Sequence, residues 1–238
     1  MKLSILAFAA HPDDVELSCS GTLAKHISMG DKVGIIDLTQ GELGTRGSAE
    51  LRALEAEKAS KILGIHCREN LGMPDGFFQN TPENQLAIIQ RIRYYRPDLV
   101  LCNAIRDRHP DHGKGSQLVS EACFYSGLSK IESSWNGEKQ TAWRPKAVYH
   151  YIQDRYIHPD FIVDISAFID KKMDSILAYS SQFYDPNSAE PKTPISSLQF
   201  IEGIKNRAME CGRIIGVEYG EAFTCERIAG VENLHSLR

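Results

Sequence analysis

The sequence LSILAFAAHPDD at residues 3–14 decides the fold of this 238-residue chain. Its apolar run, Leu3–Ala10, ends directly in the polar tetrapeptide His11–Asp14 (HPDD). A short, continuous apolar run is typical of a strand that is buried on both faces of a parallel sheet. The next segment, Val15–Met29, has the apolar spacing of a helix. We therefore expect a buried first strand with polar groups at its carboxyl end.

Apolar and helical segments continue to alternate through the first half of the chain. Three further segments have the pattern of strands, and two have the pattern of helices. The strands are Lys32–Thr39, His66–Leu71 and Asp98–Asn103, and the helices are Ala49–Leu63 and Pro82–Tyr95. Parallel strands need crossover connections, which helices usually provide. The alternation predicts an α/β fold: a Rossmann-like, doubly wound, mostly parallel sheet with helices on both faces.

The second half of the chain is less regular. We expect strands at Ala147–Ile152 and Phe161–Ser166, helices at Phe168–Phe183 and Ser197–Ile215, and a loop at Tyr184–Ser196. The sequence contains no internal repeat, low-complexity tract or linker-like segment. We therefore expect residues 1–238 to form a single domain.

The composition restricts the class of partner. A formal net charge of −4 argues against nucleic acid or an anionic membrane, because both need a basic surface. None of the six cysteines forms a CxxC pair, which favours a reducing compartment and a cytoplasmic protein. The apolar run at the N-terminus is short and leads directly into the polar motif, so we interpret it as a strand and not as a signal peptide.

A second polar tetrapeptide, His109–His112 (HPDH), follows the fourth predicted strand. In the common strand order 3-2-1-4-5, strands 1 and 4 are neighbours where the order reverses, and ligands bind beyond their carboxyl ends. The two tetrapeptides, about a hundred residues apart in sequence, are therefore predicted to face each other across one crevice. A third copy of the motif, His158–Asp160, lacks a further acid or histidine and is interpreted as a structural turn.

The two tetrapeptides contain the donors of a hydrolytic zinc site, which needs three protein ligands and an open position for water. We expect the metal to be held by His11, Asp14 and His112. Asp13 lies between two of these ligands in sequence, where it can act as a general base toward water. His109 is placed to face the other side of a substrate carbonyl, and we expect Asp111 to hold its ring.

Other predicted strand ends add polar groups to the same edge of the sheet. Arg46 and Arg52 follow strand 2, and Asp75 follows strand 3. Arginine suits forked recognition of a carboxylate, so we expect these residues to bind the substrate, with Arg52 ahead of Arg46 for an anionic group. The glycines after strand 2 do not match a phosphate-binding loop, and no GxGxxG follows strand 1, which argues against a dinucleotide.

Four stretches of the sequence resemble the PIG-L/LmbE-like zinc N-deacetylases. They are AHPDDVEL at 10–17, LTQGELGTRGS at 38–48, LRALEAEKA at 51–59 and DRHPDHGKG at 107–115. Four more are similar to the branch of that family that acts in bacillithiol biosynthesis. They are LGMPDGFF at 71–78, PDFIVDIS at 159–166, AYSSQFY at 178–184 and GVEYGEAF at 216–223. The resemblance extends over nearly the whole chain, and the paired HPDD and HPDH motifs are specific.

The resemblance implies an enzyme that hydrolyses N-acetylglucosaminyl-malate to glucosaminyl-malate and acetate. It supports the roles given above for His11, Asp13, Asp14, Arg52, His109, Asp111 and His112, with zinc or iron(II) as the metal. Relatives form hexamers or smaller oligomers, so the resemblance also implies a homo-oligomer. Some relatives have a tyrosine two residues before the histidine of HPDH that assists the oxyanion, whereas this chain has Asp107 there. Tyr184 is a candidate for a tyrosine that other relatives use late in the chain.

Several alternatives stay open on the sequence. The same chemistry would serve another N-acetyl amino sugar, or an amidase that acts on thiol S-conjugates. Two histidines and a carboxylate also form the facial triad of non-haem iron(II) oxygenases, although no barrel-like series of short strands is visible. A sugar-binding module without catalysis is the non-enzymatic alternative, and it would not need Asp13 or His109.

Replacing any one of the three expected ligands by alanine should remove most of the bound metal, because a catalytic zinc site has only three protein ligands. Elemental analysis of His112→Ala after zinc loading and desalting measures the loss. Full occupancy in that variant would show that the two tetrapeptides do not share one crevice.

Overall fold

The computed structural model describes residues 1–236, in which nine strands and six α-helices form. The strands are β1 Ile5–Ala9, β2 Val33–Thr39, β3 Cys67–Met73, β4 Leu99–Cys102, β5 Ser134–Trp135, β6 Glu138–Lys139, β7 Ala147–Tyr151, β8 Phe161–Asp164 and β9 Gly220–Cys225. The helices are α1 Asp14–Ser28, α2 Ala49–Leu63, α3 Pro82–Tyr95, α4 Pro110–Ser126, α5 Ile169–Leu177 and α6 Leu198–Ile214. Within the described residues, every helix is too short or too polar to cross a bilayer.

Seven strands form one sheet in the order β3-β2-β1-β4-β7-β9-β8. The strands from β3 to β7 in this order are parallel, and β9 runs antiparallel to both of its neighbours. The first five strands have the common order 3-2-1-4-5 on which the placement of the two tetrapeptides depends, with β7 as the fifth strand. The predicted α/β class, with a mostly parallel sheet, is therefore confirmed.

β1 is buried on both faces, as its apolar sequence predicts. Leu6 and Phe8 pack in a cluster with apolar side chains of α3 and α4 on one face of the sheet. Ala7 and Ala9 pack on the other face with side chains of α1, among them Leu23. Full burial of a large apolar side chain contributes about 1.5–3 kcal/mol. Helices thus cover both faces and leave the carboxyl ends of the strands as an open edge.

The sequence did not indicate β9 or the short hairpin of β5 and β6. β9 lies between β7 and β8, with Glu221 and Thr224 almost fully buried. Two polar residues in a six-residue strand hide the apolar pattern by which a buried strand is identified. The buried polar residues are used for tertiary contacts, which a sequence pattern does not show.

α5 is shorter than its apolar pattern predicts. The sequence predicts one helix over Phe168–Phe183, whereas α5 ends at Leu177. The carboxylate of Glu55 on α2 accepts hydrogen bonds from the Ser181 N–H and the Ser181 hydroxyl, both at 2.7 Å. These side-chain bonds favour turns at 178–183 over a further stretch of helix, and they tie the segment to α2.

A buried ion pair secures α1, the helix that begins at Asp14. Lys172 Nζ lies 2.7 Å from Glu221 Oε1, and both side chains are 3% exposed. Lys172 also donates hydrogen bonds to two backbone carbonyls of α1, and Glu221 accepts hydrogen bonds from two backbone N–H groups of the same helix. Gly21 provides the room for this contact, since a Cβ there would lie 3.1 Å from Glu221 Oε1 and 2.8 Å from Ile165 Cδ1.

Lys172→Met should lower the free energy of unfolding by about 3–5 kcal/mol, because it leaves the Glu221 carboxylate buried without its partner. Urea unfolding followed by circular dichroism measures the change. The exposed pair Lys61–Glu57, 2.6 Å apart, provides a matched control. Lys61→Met should cost less than about 1 kcal/mol. Equal effects of the two substitutions would show that the buried pair does not secure α1.

Candidate active site

The carboxyl ends of β1, β4 and β7 open into one cavity of about 920 Å³. β1 leads into His11–Asp14, and the start of α4 supplies His109 and His112. Between ring centroids, His11 lies 4.6 Å from His109 and 5.6 Å from His112. The structure therefore brings the two tetrapeptides together across one crevice, at the position where the strand order reverses.

His11, Asp14 and His112 form a compact set of nitrogen and oxygen donors. Asp14 Oδ2 lies 3.6 Å from His11 Nδ1, and Asp14 Oδ1 lies 3.1 Å from His112 Nε2. All three side chains are at most 11% exposed. Two imidazoles and a carboxylate are a common ligand set of catalytic zinc sites, so these residues fit a zinc ion by donor type and proximity. The nitrogens of His11, His109 and His112 also approach within 4.8 Å, which makes His109 a further potential donor.

A second carboxylate faces the outer nitrogen of each imidazole. His112 Nδ1 lies 2.6 Å from Asp107 Oδ2, and His11 Nε2 lies 3.0 Å from Asp75 Oδ1. Such carboxylate partners fix the orientation of a ring and leave its inner nitrogen available to a metal. Asp75, expected to bind substrate, lines the cavity but directs its carboxylate to His11. Asp107, which stands where some relatives have a tyrosine, supports His112.

The Asp14 carboxylate is fixed by three further donors. It accepts hydrogen bonds from the His11 N–H at 2.9 Å, from Asn103 Nδ2 at 3.0 Å and from Gln153 Nε2 at 3.0 Å. Asn103 and Gln153 were not expected in the site from the sequence, although each lies within two residues of the end of a parallel strand. Both are polar residues at strand ends, and the same pattern that located the tetrapeptides could have identified them.

The electrostatics of this cluster favour a positive charge. Burial raises the pKa of Asp14, but the imidazoles of His112 and His11 outweigh burial and hold that pKa well below its usual value. Burial lowers the pKa of His112, but Asp14 and Asp107 outweigh it and raise that pKa to about 9. The cluster therefore stabilises a cationic charge beside Asp14, which is what a divalent metal ion with these ligands requires.

Asp13 has a backbone conformation that is rare for a residue with a side chain. Its φ of 112° is positive, in a region that aspartate and asparagine tolerate better than most residues. Asp13 lines the cavity, and its Oδ2 accepts a hydrogen bond from Arg52 Nη2 at 3.1 Å. Burial raises the pKa of Asp13 to about 7, although the Arg52 guanidinium lowers it. Asp13 is thus a buried acid that is held beside the candidate metal ligands.

The two arginines expected to bind an anionic group of the substrate are both occupied by the protein. Arg52 lines the cavity, but its guanidinium donates to Asp13 and to two backbone carbonyls. Arg46 donates to the Phe183 carbonyl and to the Ser188 hydroxyl, and it is outside the described cavity lining. Arg46 therefore anchors the loop after α5, which corrects its expected position at the substrate. Arg52 is placed to position Asp13.

His109 precedes α4, and Asp111 lies in the first turn of that helix. The Asp111 N–H donates to His109 Nδ1 at 3.3 Å, which assigns the proton of a neutral ring to Nε2. The Asp111 carboxylate accepts hydrogen bonds from the Gly76 N–H at 2.7 Å and Lys114 Nζ at 3.1 Å, and it lies 3.5 Å from His11 Nε2. The Asp111 carboxylate therefore supports His11, while its backbone N–H contacts the His109 ring, and the orienting role of Asp111 at His109 stays a prediction. Burial and the neighbouring imidazoles lower the pKa of His109.

The fold and the site define a class: an α/β protein with a candidate metal centre where the strand order of its sheet reverses. Residues 6–123 match the family model PIG-L, described as GlcNAc-PI de-N-acetylase. The chain belongs to the PIG-L family, which confirms the resemblance to the PIG-L/LmbE-like deacetylases at the level of the family.

Two curated relatives and one solved structure show how close the relationship is. The chain is 32% identical to a diacetylchitobiose deacetylase of Thermococcus kodakarensis over 75% of this chain and 70% of that protein. It is 28% identical to a mycothiol S-conjugate amidase of Streptomyces coelicolor over 63% of this chain and 60% of the amidase. A conserved protein from Thermus thermophilus has a structure with a TM-score of 0.86 and 36% identity over 98% of both chains. The two named relatives are both hydrolases of amide bonds.

Asp107→Asn should weaken zinc binding by about 10–100-fold, because an amide supports the His112 ring less well and does not raise its basicity. Competition with a chromogenic chelator measures the affinity. Asp154→Asn is a matched control, since Asp154 also lines the cavity but pairs with the exposed Arg108 at 3.0 Å. The control should bind zinc like the wild type. Wild-type affinity in Asp107→Asn would contradict the role of Asp107 at His112.

Proposed function

We propose that this protein is a zinc-dependent N-deacetylase that hydrolyses the acetamide of an N-acetylglucosaminide. The observation that carries the proposal is the meeting of two strand ends on one cavity, where Asp13 lies beside the donor set of His11, Asp14 and His112. The amide hydrolysis of the two named relatives supports the reaction class. Iron(II) is the alternative metal, since it accepts the same donors.

We propose N-acetylglucosaminyl-malate as the substrate, because four stretches of the sequence are similar to the bacillithiol branch of the family. A malate aglycone brings two carboxylates at neutral pH, so the cavity needs cations. Arg108 and Arg207 line the cavity and are the candidates for this contact. In the described part of the chain, both are exposed and bind only the exposed Asp154, so a carboxylate of the substrate can compete for them, whereas Arg52 is buried and engaged by Asp13. All six cysteines are free thiols, which agrees with a location in the cytoplasm.

In the proposed mechanism, the metal would activate the carbonyl and the water, and residues of the chain transfer the proton and stabilise the oxyanion. A bound zinc ion would polarise the acetyl carbonyl and lower the pKa of water from nearly 16 to about 7. Asp13, directed by Arg52, accepts the proton of the attacking water and passes it to the amine nitrogen as the amide bond breaks. His109 donates from Nε2 to the oxyanion, and such a donor typically contributes about 3–4 kcal/mol. Tyr184 is outside the described cavity lining, so His109 is the donor that we propose.

The arrangement favours a hydrolase over the other classes with the same donors. A facial-triad oxygenase needs two histidines and a carboxylate, but it has no use for a buried acid held by an arginine next to them. A sugar-binding module needs neither that acid nor the strained backbone at Asp13. An amidase for thiol S-conjugates would use the same residues for the same bond, and it differs only in the groups attached to the sugar.

Asp13→Asn should keep the metal and the fold but lower kcat by about 10²–10⁴-fold, because an amide cannot take the proton. Zinc-loaded protein is incubated with N-acetylglucosaminyl-malate, and the free amine and the metal content are measured on the same sample. Asp160→Asn, in the third copy of the motif, is the control, since Asp160 Oδ2 accepts from the Cys225 N–H at 2.7 Å and is outside the described cavity lining. Loss of metal with activity would make Asp13 a ligand. Normal turnover would refute the mechanism.

A further inference from the structure

His150 on β7 is a buried residue that the proposed mechanism does not use. Its side chain is 4% exposed, and both of its ring nitrogens have polar neighbours. Nδ1 lies 2.8 Å from Ser116 Oγ, 3.1 Å from the Asn103 carbonyl oxygen and 3.3 Å from Cys102 Sγ. Nε2 lies 3.2 Å from Glu226 Oε1. The ring therefore joins β4, β7 and α4 with the segment after β9.

The neighbours of the ring determine its protonation. A carbonyl or an ionised carboxylate accepts a hydrogen bond but donates none. Nδ1 therefore donates to the Asn103 carbonyl and Nε2 donates to Glu226, which makes the ring an imidazolium. Burial lowers the pKa of His150, but Cys102, Glu226 and the Asn103 carbonyl outweigh burial and raise that pKa to about 11. At neutral pH the ring is thus a hydrogen-bond donor at both ends.

Asn103 connects His150 to the Asp14 carboxylate. The backbone carbonyl of Asn103 accepts the hydrogen bond of His150, while its side-chain Nδ2 donates to Asp14 Oδ2 at 3.0 Å. The Asn103 Oδ1 accepts a hydrogen bond from the Ala10 N–H at 2.9 Å. Because the direction of a side chain depends on the backbone that carries it, a fixed Asn103 carbonyl also fixes the amide that orients Asp14.

Ser116 connects His150 to α4, the helix that carries His112. Ser116 follows His112 by four residues, so the two side chains lie one turn apart on the same face of the helix. A hydrogen bond at Ser116 restricts the rotation of α4 about its axis, and that rotation determines the direction of His112. The helix is packed closely here, since a Cβ at Gly115 would lie 3.4 Å from Asn103 Oδ1.

We propose that His150 is a positioning residue for the candidate metal centre. Through Asn103 it orients Asp14, and through Ser116 it orients His112, so that two ligands from different strand ends keep one spacing. The inference rests on the metal centre of the proposed function and is independent of the identity of the sugar substrate. Groups that orient metal ligands typically contribute about 10–100-fold in metal affinity or activity. Because His150 acts through Asn103 and Ser116, we expect an effect at the lower end of this range.

Three variants separate a positioning role from a contribution to stability. His150→Leu removes every hydrogen bond of the ring. His150→Asn keeps a donor for the Asn103 carbonyl, because its amide nitrogen can take the place of Nδ1. Arg93→Met is the matched control, since Arg93 is also a buried cation, 3% exposed, and donates hydrogen bonds to the Ser126 and Leu128 carbonyls at the other end of α4.

Zinc affinity is measured by competition with a chromogenic chelator, and the visible absorption bands of the cobalt(II)-loaded protein report the arrangement of the ligands. His150→Leu should bind zinc about tenfold more weakly and change the cobalt bands. At saturating zinc its kcat for N-acetylglucosaminyl-malate should fall by about tenfold, with KM within about twofold of the wild type. His150→Asn should recover zinc affinity to within about threefold of the wild type and keep its cobalt bands. Arg93→Met should unfold at a lower urea concentration but keep the zinc affinity and the cobalt bands.

Wild-type zinc affinity and cobalt bands in His150→Leu would overturn the inference. Equal losses in His150→Asn and His150→Leu would also overturn it, because the donor to Asn103 would then not be the route. An equal loss in Arg93→Met would show that zinc affinity follows stability alone. If His150→Leu does not fold, Ser116→Ala should weaken zinc binding by about threefold, and unchanged affinity there refutes the role. If the zinc-loaded wild type releases no amine, the proposed function fails, while zinc affinity and the cobalt bands still decide the role of His150.

Discussion

The buried carboxylate of Asp14 is the constraint on which the site depends. Its side chain is 4% exposed, and a charge so far from water must be compensated by the protein. The compensating groups come from the backbone after β1, from Asn103 after β4, from Gln153 after β7 and from His112 on α4. Each of these segments is therefore held at the distance of a hydrogen bond from one side chain, and the strand order makes that convergence feasible.

Further buried charges tie α1, the helix that begins at Asp14, to the sheet near its start. Glu16 pairs with Arg68 at 2.6 Å, and Arg68 pairs with Asp37 on β2 at 2.7 Å. The pair of Lys172 and Glu221 then holds the middle of α1 through its backbone. Buried ion pairs add little net stability, but they lose much when one partner is removed. Their contribution here is to fix the helix that carries Asp14, the proposed metal ligand, because a catalytic site requires a rigid support.

The fold and the candidate ligands could be predicted from the sequence because both depend on local patterns. Apolar runs such as Leu3–Ala10 identify buried parallel strands, and the rule for strand ends places His11–Asp14 beside His109–His112. β9 could not be predicted, because Glu221 places a charged side chain of a buried ion pair where a buried strand usually has an apolar residue. Asn103 was missed because a single polar residue at a strand end has no distinctive local pattern.

The partners of the site residues were the least predictable part. Whether Asp111 supports His109 or His11 depends on where the Gly76 loop approaches α4, and no spacing within HPDH contains that information. Arg46 and Arg52 are only six positions apart in sequence, yet one holds the loop after α5 and the other holds Asp13. Side-chain direction in a loop is set by the tertiary structure, so the sequence positions of the two arginines did not indicate which groups of the protein they contact.

The positive φ of Asp13 has a consequence for how this protein can evolve. A non-glycine residue in such a conformation costs of the order of 1–3 kcal/mol, and glycine would avoid most of that cost. Under the proposed function, stability therefore favours glycine at this position and turnover favours aspartate. A descendant released from selection for catalysis would gain stability by exchanging the third residue of HPDD for glycine while its metal ligands persisted. Among paralogues, an HPGD sequence would then mark a chain that has kept the proposed metal ligands and lost the proposed general base.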